Sequence, residues 1–356
     1  MKRSKPLLPT SSHVTLGRVA SACGVSPSTV SRVLNGTAVV SAEKQARVRE
    51  AVAALGFVPN TLARALADGR SFSVGLVAQY LESPFYALML RGIEETLSAA
   101  GYGLVVASGH WNAEEEARCI HTMRTRRVDG VIVLTGMLED EFLVELAREL
   151  PVVVTGRRLE APGLHALHSN DVDGARAATR HLLERGHARI AFIGGDPRHP
   201  DAQERERGYR AALAEAGVAV DPALMRAGDY LETGGAAATE ALLDDGVAFS
   251  AIFAANDQMA AGAAQVLHRR GLRVPEEVSI VGFDDLLATA HASPPRTTVS
   301  LSVAELGRRA ALALLDLLQH RAPRVNAPEP ELVVRESTRP PAPHFGCSAR
   351  SMSTSR

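Results

Sequence analysis

The chain has 356 residues, 46% hydrophobic and 22% charged, with 29 Gly and 19 Pro. That is the composition of a globular protein of two or three domains, and it excludes collagen, a coiled-coil rod and wholesale disorder. The net charge of -1 hides an asymmetry: residues 1–70 hold ten Lys/Arg against three Asp/Glu, a balance of +7, and the remainder holds 29 against 37, a balance of -8. A basic head on an acidic body points to an N-terminal module that meets nucleic acid or another anion. Cys23, Cys119 and Cys347 form no CxxC and no Cys/His cluster, which argues against a disulfide framework and a structural zinc site. MKRSKPLLPTSS has no apolar stretch of signal-peptide type, and no run of ~18 apolar residues follows. A cytoplasmic location, no membrane partner and no cofactor are expected.

Residues 1–13 read as a disordered tail and 14–59 as an all-α head. Leu16, Val19, Ala20 and Cys23 fall at i, i+3, i+4 and i+7, one face of a helix. Gly24 stops it and permits a tight turn. Ser26 is a good N-cap and Pro27 a good first residue for a second helix running to Asn35. Val30, Val33 and Leu34 share its inner face, while Ser28, Ser31, Arg32 and Asn35 line the opposite one. A third helix starts at Ser41, buries Val48, Ala51, Val52 and Leu55, and ends at Gly56. Three short helices with a Gly turn between the first two make a helix-turn-helix module. An ordinary solvated face carries Lys and Glu, and this one carries neither. Its short polar side chains and single arginine suit close approach to base edges in a major groove.

From Ser73 short β-type runs alternate with helical patterns. The strand runs are 73–78, 102–108, 128–135, 151–155, 188–195, 249–255, 277–283 and 331–336. Helices are expected near 84–100, 113–126, 139–149, 171–186, 203–216, 232–244, 256–271 and 303–320. This βα rhythm implies parallel sheets covered by helices. Eight strands fit two doubly wound subdomains over 71–337 better than the rival single (β/α)8 barrel. Residues 338–356, rich in Pro and Ser, read as a disordered tail.

VTLGRVASACGVSPSTVSRVLNG (14–36) and VSAEKQARVREAVAALGFVPNTLARALADGRS (40–71) resemble the lactose/galactose repressor (LacI/GalR) family. The likeness continues through SPFY (83–86), RHLLERGHARIAFIGG (180–195), ANDQMAAGA (255–263) and VPEEVSIVGFDD (274–285), and it lies nearest the galactose-type branch, with an aryl- or β-glucoside-type repressor also close. It implies a sequence-specific DNA-binding transcriptional regulator, most often a repressor, with a periplasmic-binding-protein-like core. In such a core three crossovers join the subdomains, and a small sugar in the cleft controls operator affinity. Carried over residue by residue, the base-reading positions are Pro27, Ser28, Ser31 and Arg32. Thr15, Leu16, Thr29, Asn35 and Ser41 match positions that touch the phosphates or frame the reader. Residues 60–70 match the hinge, with Asn60, Ala63 and Leu66 facing DNA and Leu66 as the apolar wedge in the minor groove. The effector positions are Phe85, His110, Arg205, Tyr230, Asn256 and Asp284. Arg205, Asn256 and Asp284 offer donors and acceptors for sugar hydroxyls, and the aromatic rings can stack on pyranose faces. A half-site reader needs two-fold symmetry, and the chain after Arg335 has no leucine for a tetramerising heptad, so a homodimer is expected.

Two other readings compete. A sugar-binding protein without DNA function has no use for the reader helix. An enzyme needs a catalytic constellation, and the chain has no GxSxG elbow and no Walker loop; GYG (101–103) lacks the third glycine of a dinucleotide fingerprint. His165, His168 and Asp171 form a loose cluster that fits no common metal spacing.

Overall fold

The computed structural model describes residues 14–35, 40–57 and 69–342, and the chain divides into two compact units at Ser71. The hinge residues Asn60, Ala63 and Leu66 lie outside the described residues.

In the first unit, α1 (Leu16–Cys23), α2 (Pro27–Asn35) and α3 (Ala42–Leu55) enclose a small core of Val19, Ala20, Cys23, Val30, Val48 and Phe57. Thr15 caps α1 by accepting the Arg18 N–H at 3.4 Å, and Ser26 caps α2 by accepting the Thr29 N–H at 3.2 Å. Gly24 takes φ 61°, a left-handed conformation that a side chain would strain. The Arg47 guanidinium donates to the Cys23 carbonyl, which ties α3 to the end of α1. Val48 is fully buried, whereas Ala51, Val52 and Leu55 are half-buried at the rim of the cluster. With so small a core, each fully buried aliphatic side chain, at about 1.5–3 kcal/mol, matters.

The second unit contains two open sheets. The first comprises β1 (Ser73–Ala78), β2 (Gly103–Ser108), β3 (Gly130–Val133), β4 (Val152–Thr155) and β5 (Leu164–Leu167), all parallel in the order β2-β1-β3-β4-β5. Its connecting helices are α4 (Pro84–Ala99), α5 (Ala113–Thr125) and α6 (Asp140–Ala147). The second sheet comprises β6 (Ile190–Gly194), β7 (Met225–Ala227), β8 (Ala251–Ala254), β9 (Ser279–Asp284), β10 (Thr297–Ser300) and β11 (Glu331–Val333). Its order is β11-β10-β9-β8-β6-β7. With it go α7 (Asp171–Glu184), α8 (Pro200–Glu215), α9 (Glu232–Asp244), α10 (Asp257–Arg269) and the short α11 (Leu287–Ala290). Runs such as VVVT and AIFA are buried on both faces, as parallel strands between helix layers require. The chain crosses between sheets three times: after β5, after β10, and before β11. The middle excursion places α12 (Val303–Leu318) against α4 and the strands of the first sheet.

All eight expected strands and all eight expected helices are present, in two open sheets rather than a barrel. Three strands escaped the sequence reading. β5 and β7 are only four and three residues long. β10 is threonine-rich yet buried, because its hydroxyls are satisfied. Thr298 Oγ1 donates to Asp257 Oδ1 at 2.7 Å and Thr297 Oγ1 accepts the Arg335 N–H at 2.9 Å. Two further corrections concern the C-terminus. β11 runs antiparallel to β10, so the second sheet is mixed. The tail does not begin at residue 338: Thr338 is 6% exposed, its hydroxyl lies 2.9 Å from His181 Nε2, and His187 Nε2 donates to the Arg339 carbonyl at 2.8 Å.

At the crossing of α4 and α12 two glycines let the backbones touch. A Cβ on Gly307 would lie 2.2 Å from the Met89 carbonyl oxygen, and one on Gly92 would lie 2.0 Å from that of Ala304. Neither partner is a side chain that can swing away. Gly307→Ala is expected to destabilise the core by about 1–3 kcal/mol, the usual cost of overpacking. Urea unfolding monitored by circular dichroism checks this, and an unchanged midpoint contradicts it.

Candidate DNA interface and ligand cleft

On the head, α2 buries Val30 and half-buries Val33 and Leu34, which turns Pro27, Ser28 and Arg32 outward as exposed residues. Thr29 and Ser31 are half-buried. Ser26 Oγ lies 2.8 Å from Ser28 Oγ and 2.9 Å from Thr29 Oγ1, a hydroxyl cluster that fixes the first turn. Arg32 makes no ion pair among the described residues. Leu16 packs half-buried against the head core, and Ser41 precedes α3 without a side-chain capping bond. Asn35 ends α2. The helix therefore offers one long cation and short hydroxyls on a preformed surface, the inventory of a major-groove reader.

In the core, the expected effector residues and their neighbours sit at or beyond the C-terminal ends of the parallel strands, where open α/β sheets bind ligands. Phe85 and Tyr86 follow β1, Trp111 follows β2, His199 and Arg205 follow β6, Tyr230 follows β7, Asn256 follows β8, and Asp284 ends β9. Arg205 is 4% exposed. Its Nε donates to Asp171 Oδ2 at 2.9 Å, its Nη1 stands 3.5 Å from Asp284 Oδ1, and Nη1 also donates to the Ala255 carbonyl. Its guanidinium lies 4.1 Å from the centroid of the Phe283 ring, a cation–π contact. Burial pushes the carboxyls of Asp171 and Asp284 above the usual range, against the pull of Arg205. Burial alone would lower Arg205; the two carboxylates outweigh it and hold the guanidinium above its ordinary value.

Among the described residues, the buried atoms Tyr230 Oη, Asp284 Oδ1 and Asp201 Oδ1 in the walls of the cleft have no hydrogen-bond partner, nor has His199 Nδ1 beside Trp111. Buried polar atoms are normally satisfied, so a cluster of orphans calls for an explanation. Asn256 is different. Its Oδ1 caps α10 by accepting the Met259 N–H at 2.8 Å, and its Nδ2 donates to the Tyr230 carbonyl at 2.9 Å, so it fixes the backbone that carries Tyr230.

The two sheets meet across the cleft. Trp111 stacks on His199 with ring centroids 3.7 Å apart and planes at 14°. Ser83 Oγ donates to Gln258 Oε1 at 3.2 Å, and His168 Nε2 pairs with Glu204 at 2.9 Å. Two adjoining cavities remain, each of about 50 Å³, and both are lined by Phe85, Tyr86, Asp201 and Arg205. Such a volume holds a few water molecules. The backbone is strained here: of nine non-glycine residues with positive φ among the described residues, Trp111, Tyr230 and Asp284 line the cleft.

Five of the six expected effector residues, Phe85, Arg205, Tyr230, Asn256 and Asp284, thus line one cleft. His110 does not line it. Its ring is exposed, 2.8 Å from Glu115 and 5.9 Å from the Tyr80 centroid. The neighbouring Trp111 takes the place at the wall. The sequence reading missed Asp171, Asp201 and His199. Asp171 appeared only in the loose cluster with His165 and His168, and its partner Arg205 lies 34 residues away. Its place at the head of the helix expected over 171–186 was the available signal.

Comparison with known proteins agrees with this geometry. Residues 15–60 match the family described as bacterial regulatory proteins, lacI family, and residues 179–338 match a periplasmic binding protein-like domain. The chain is 36% identical over 332 residues to the HTH-type transcriptional regulator GalR of Escherichia coli strain K12, covering 92% of this chain and 96% of that relative. The chain belongs to the LacI family of bacterial regulatory proteins. It is a DNA-binding transcriptional regulator. The regulator is also 38% identical over 334 residues to CelR of Thermobifida fusca, covering 91% of this chain and 98% of that one. Among solved structures it is similar to the lac repressor dimer bound to operator and the anti-inducer ONPF (TM-score 0.81, 29% identity, 92% of this chain and 99% of that one). It is also similar to a CelR–cellobiose complex (TM-score 0.68, 36% identity, 91% and 99%).

Arg32 is the long cation on the reader face, and a bidentate arginine–guanine contact is worth about 1–3 kcal/mol of discrimination. Arg32→Ala is expected to lower the ratio of operator to random-DNA affinity by that amount at fixed salt. Fluorescence anisotropy on both duplexes reads it, and an unchanged ratio removes Arg32 from the base-reading set.

Proposed function

We propose that this regulator is a repressor whose operator affinity is set by a small sugar or glycoside held in the cleft between its two core subdomains. The observation that carries the reading is the set of three buried polar atoms in the cleft walls around Arg205, Tyr230 Oη, Asp284 Oδ1 and Asp201 Oδ1, that lack a hydrogen-bond partner among the described residues. A polyhydroxylated ligand supplies partners for all of them. Asp284, Asp201 and Tyr230 accept or exchange hydrogen bonds with vicinal hydroxyls, Arg205 donates, and the Phe85, Trp111 and Tyr230 rings cover pyranose faces. The cellobiose bound by one similar protein supports the same class of ligand.

Cavities of about 50 Å³ are too small for a sugar ring, so ligand entry requires the subdomains to part. Phe85, Tyr86 and Trp111 belong to the first subdomain, and Arg205, Tyr230 and Asp284 to the second. A ligand touching both sets favours one relative orientation. The head is joined by residues 58–70 to β1 of the first subdomain, and two such joints in a homodimer feel any reorientation. Reciprocity follows: a sugar that weakens operator binding is itself bound more weakly by the operator complex, by the same factor.

Isothermal titration with galactose, galactosides and cellobiose, with and without a symmetric operator duplex, tests the proposal. The parent is expected to bind at least one of these sugars, with a 5–150-fold difference between free and operator-bound protein, the range of a coupling of ~1–3 kcal/mol. Arg205→Ala is expected to lose sugar binding and keep operator affinity at two chains per symmetric duplex. An Arg205→Ala variant that binds sugar as tightly as the parent places the ligand elsewhere, and one chain per duplex contradicts the homodimer.

A further inference from the structure

The cavities in the cleft are not the largest in the core. On the second subdomain, where α10 ends, a cavity of about 460 Å³ opens, within the ~300–1,000 Å³ of small-molecule sites. Its walls come from three places: His268 in the last turn of α10, the following loop with Leu272, Arg273 and Val274, and the approach to β10 with Pro294 and Arg296. The cleft meets the other end of the same helix, where Asn256 caps α10. Thirteen residues separate the two ends, about 20 Å of helix.

Arg296 decides what this cavity is for. It is half-buried, its Nε is sealed from solvent with no hydrogen-bond partner, and the guanidinium forms no ion pair among the described residues. Asp257 lies behind it, but that carboxylate is occupied by the Thr298 hydroxyl at 2.7 Å and the Leu286 N–H at 2.8 Å. Burial holds the guanidinium below its ordinary pKa, the sign of a cation short of compensation. A planar donor fork in this condition is matched by a carboxylate or a phosphate, which accepts two parallel hydrogen bonds. Arg273 adds a second guanidinium at the rim, shared with Glu277 at 3.1 Å. Glu276 is the carboxylate in the wall and Glu277 engages Arg273, so Arg296 is the guanidinium of the lining without an ion pair among the described residues. Leu272, Val274 and Pro294 provide an apolar floor for a carbon skeleton.

We propose that this cavity binds a small organic anion, through an oxyanion held by Arg296, at a site separate from the cleft. The class comprises phosphate esters and carboxylates with a compact apolar body. The inference does not rest on the sugar reading, because no residue of the cleft lines this cavity.

Thermal unfolding and isothermal titration with phenyl phosphate and benzoate, against sodium chloride at equal ionic strength, test the site. The full chain is used, as the parent and as Arg296→Leu, Arg296→Lys and Arg205→Ala. One of the two anions is expected to raise the Tm of the parent and of Arg205→Ala alike, and the tighter of the two names the ligand class. Arg296→Leu is expected to weaken binding at least tenfold. Arg296→Lys, which keeps the charge and loses the fork, is expected to fall between the parent and Arg296→Leu. Three results overturn the proposal: no response to either anion beyond that to chloride, equal responses in the parent and Arg296→Leu, or a response lost in Arg205→Ala and kept in Arg296→Leu.

Discussion

One guanidinium withdrawn from water organises the core. Arg205 is buried beside Asp171 and Asp284, whose side chains are 7% and 4% exposed. Desolvating such ions costs several kcal/mol each, and their mutual attraction repays this only when every remaining donor and acceptor is satisfied. Here they are not, since Asp284 Oδ1 and the neighbouring Tyr230 hydroxyl and Asp201 Oδ1 lack hydrogen-bond partners among the described residues. Well-packed apolar side chains of similar volume would serve stability at least as well. The network makes physical sense as a preformed ligand cradle whose missing hydrogen bonds arrive with the ligand.

The fold brings these charges together by topology. Asp171 opens α7, Arg205 lies in the first turns of α8 and Asp284 ends β9, so three elements of the second subdomain deliver their polar ends to the edge where its parallel strands end. The first subdomain supplies the aromatic wall from the same edge of its own sheet. Positive φ values at Trp111, Tyr230 and Asp284 show that the backbone is bent to present these side chains. Strain of this kind persists only where surrounding structure over-determines it. Here the Asn256 side chain holds the Tyr230 carbonyl, and the Gln79 carboxamide accepts the Trp111 N–H at 2.7 Å.

Much of this was legible in the sequence, for identifiable reasons. The head was clear because Gly24, Ser26 and Pro27 punctuate the chain in adjacent positions and the apolar residues keep helical spacing. Seven of the eight strands read from the sequence were clear because a parallel strand between helix layers is a run of Val, Ile, Leu and Ala. β10 was opaque because its buried threonines are satisfied by Asp257 and by the Arg335 backbone, partners 41 and 38 residues away. The ordered residues beyond Ser337 were opaque for the same reason: His181 and His187 hold them from across the sheet. In the cleft, five of the six residues carried over by family resemblance line one pair of cavities. Asp171, Asp201 and His199 needed three dimensions, and His110 was displaced from the wall by Trp111 next to it.

The central claim is that the Arg205 cluster exists for a ligand rather than for the fold. Urea unfolding of Arg205→Met/Asp171→Asn/Asp284→Asn, set beside sugar titration of the same protein, tests it most directly. The account predicts a core at least as stable as the parent, because three buried ions are removed together, with no heat on adding any sugar that the parent binds. A loss of several kcal/mol in stability, or sugar binding that survives, would contradict it.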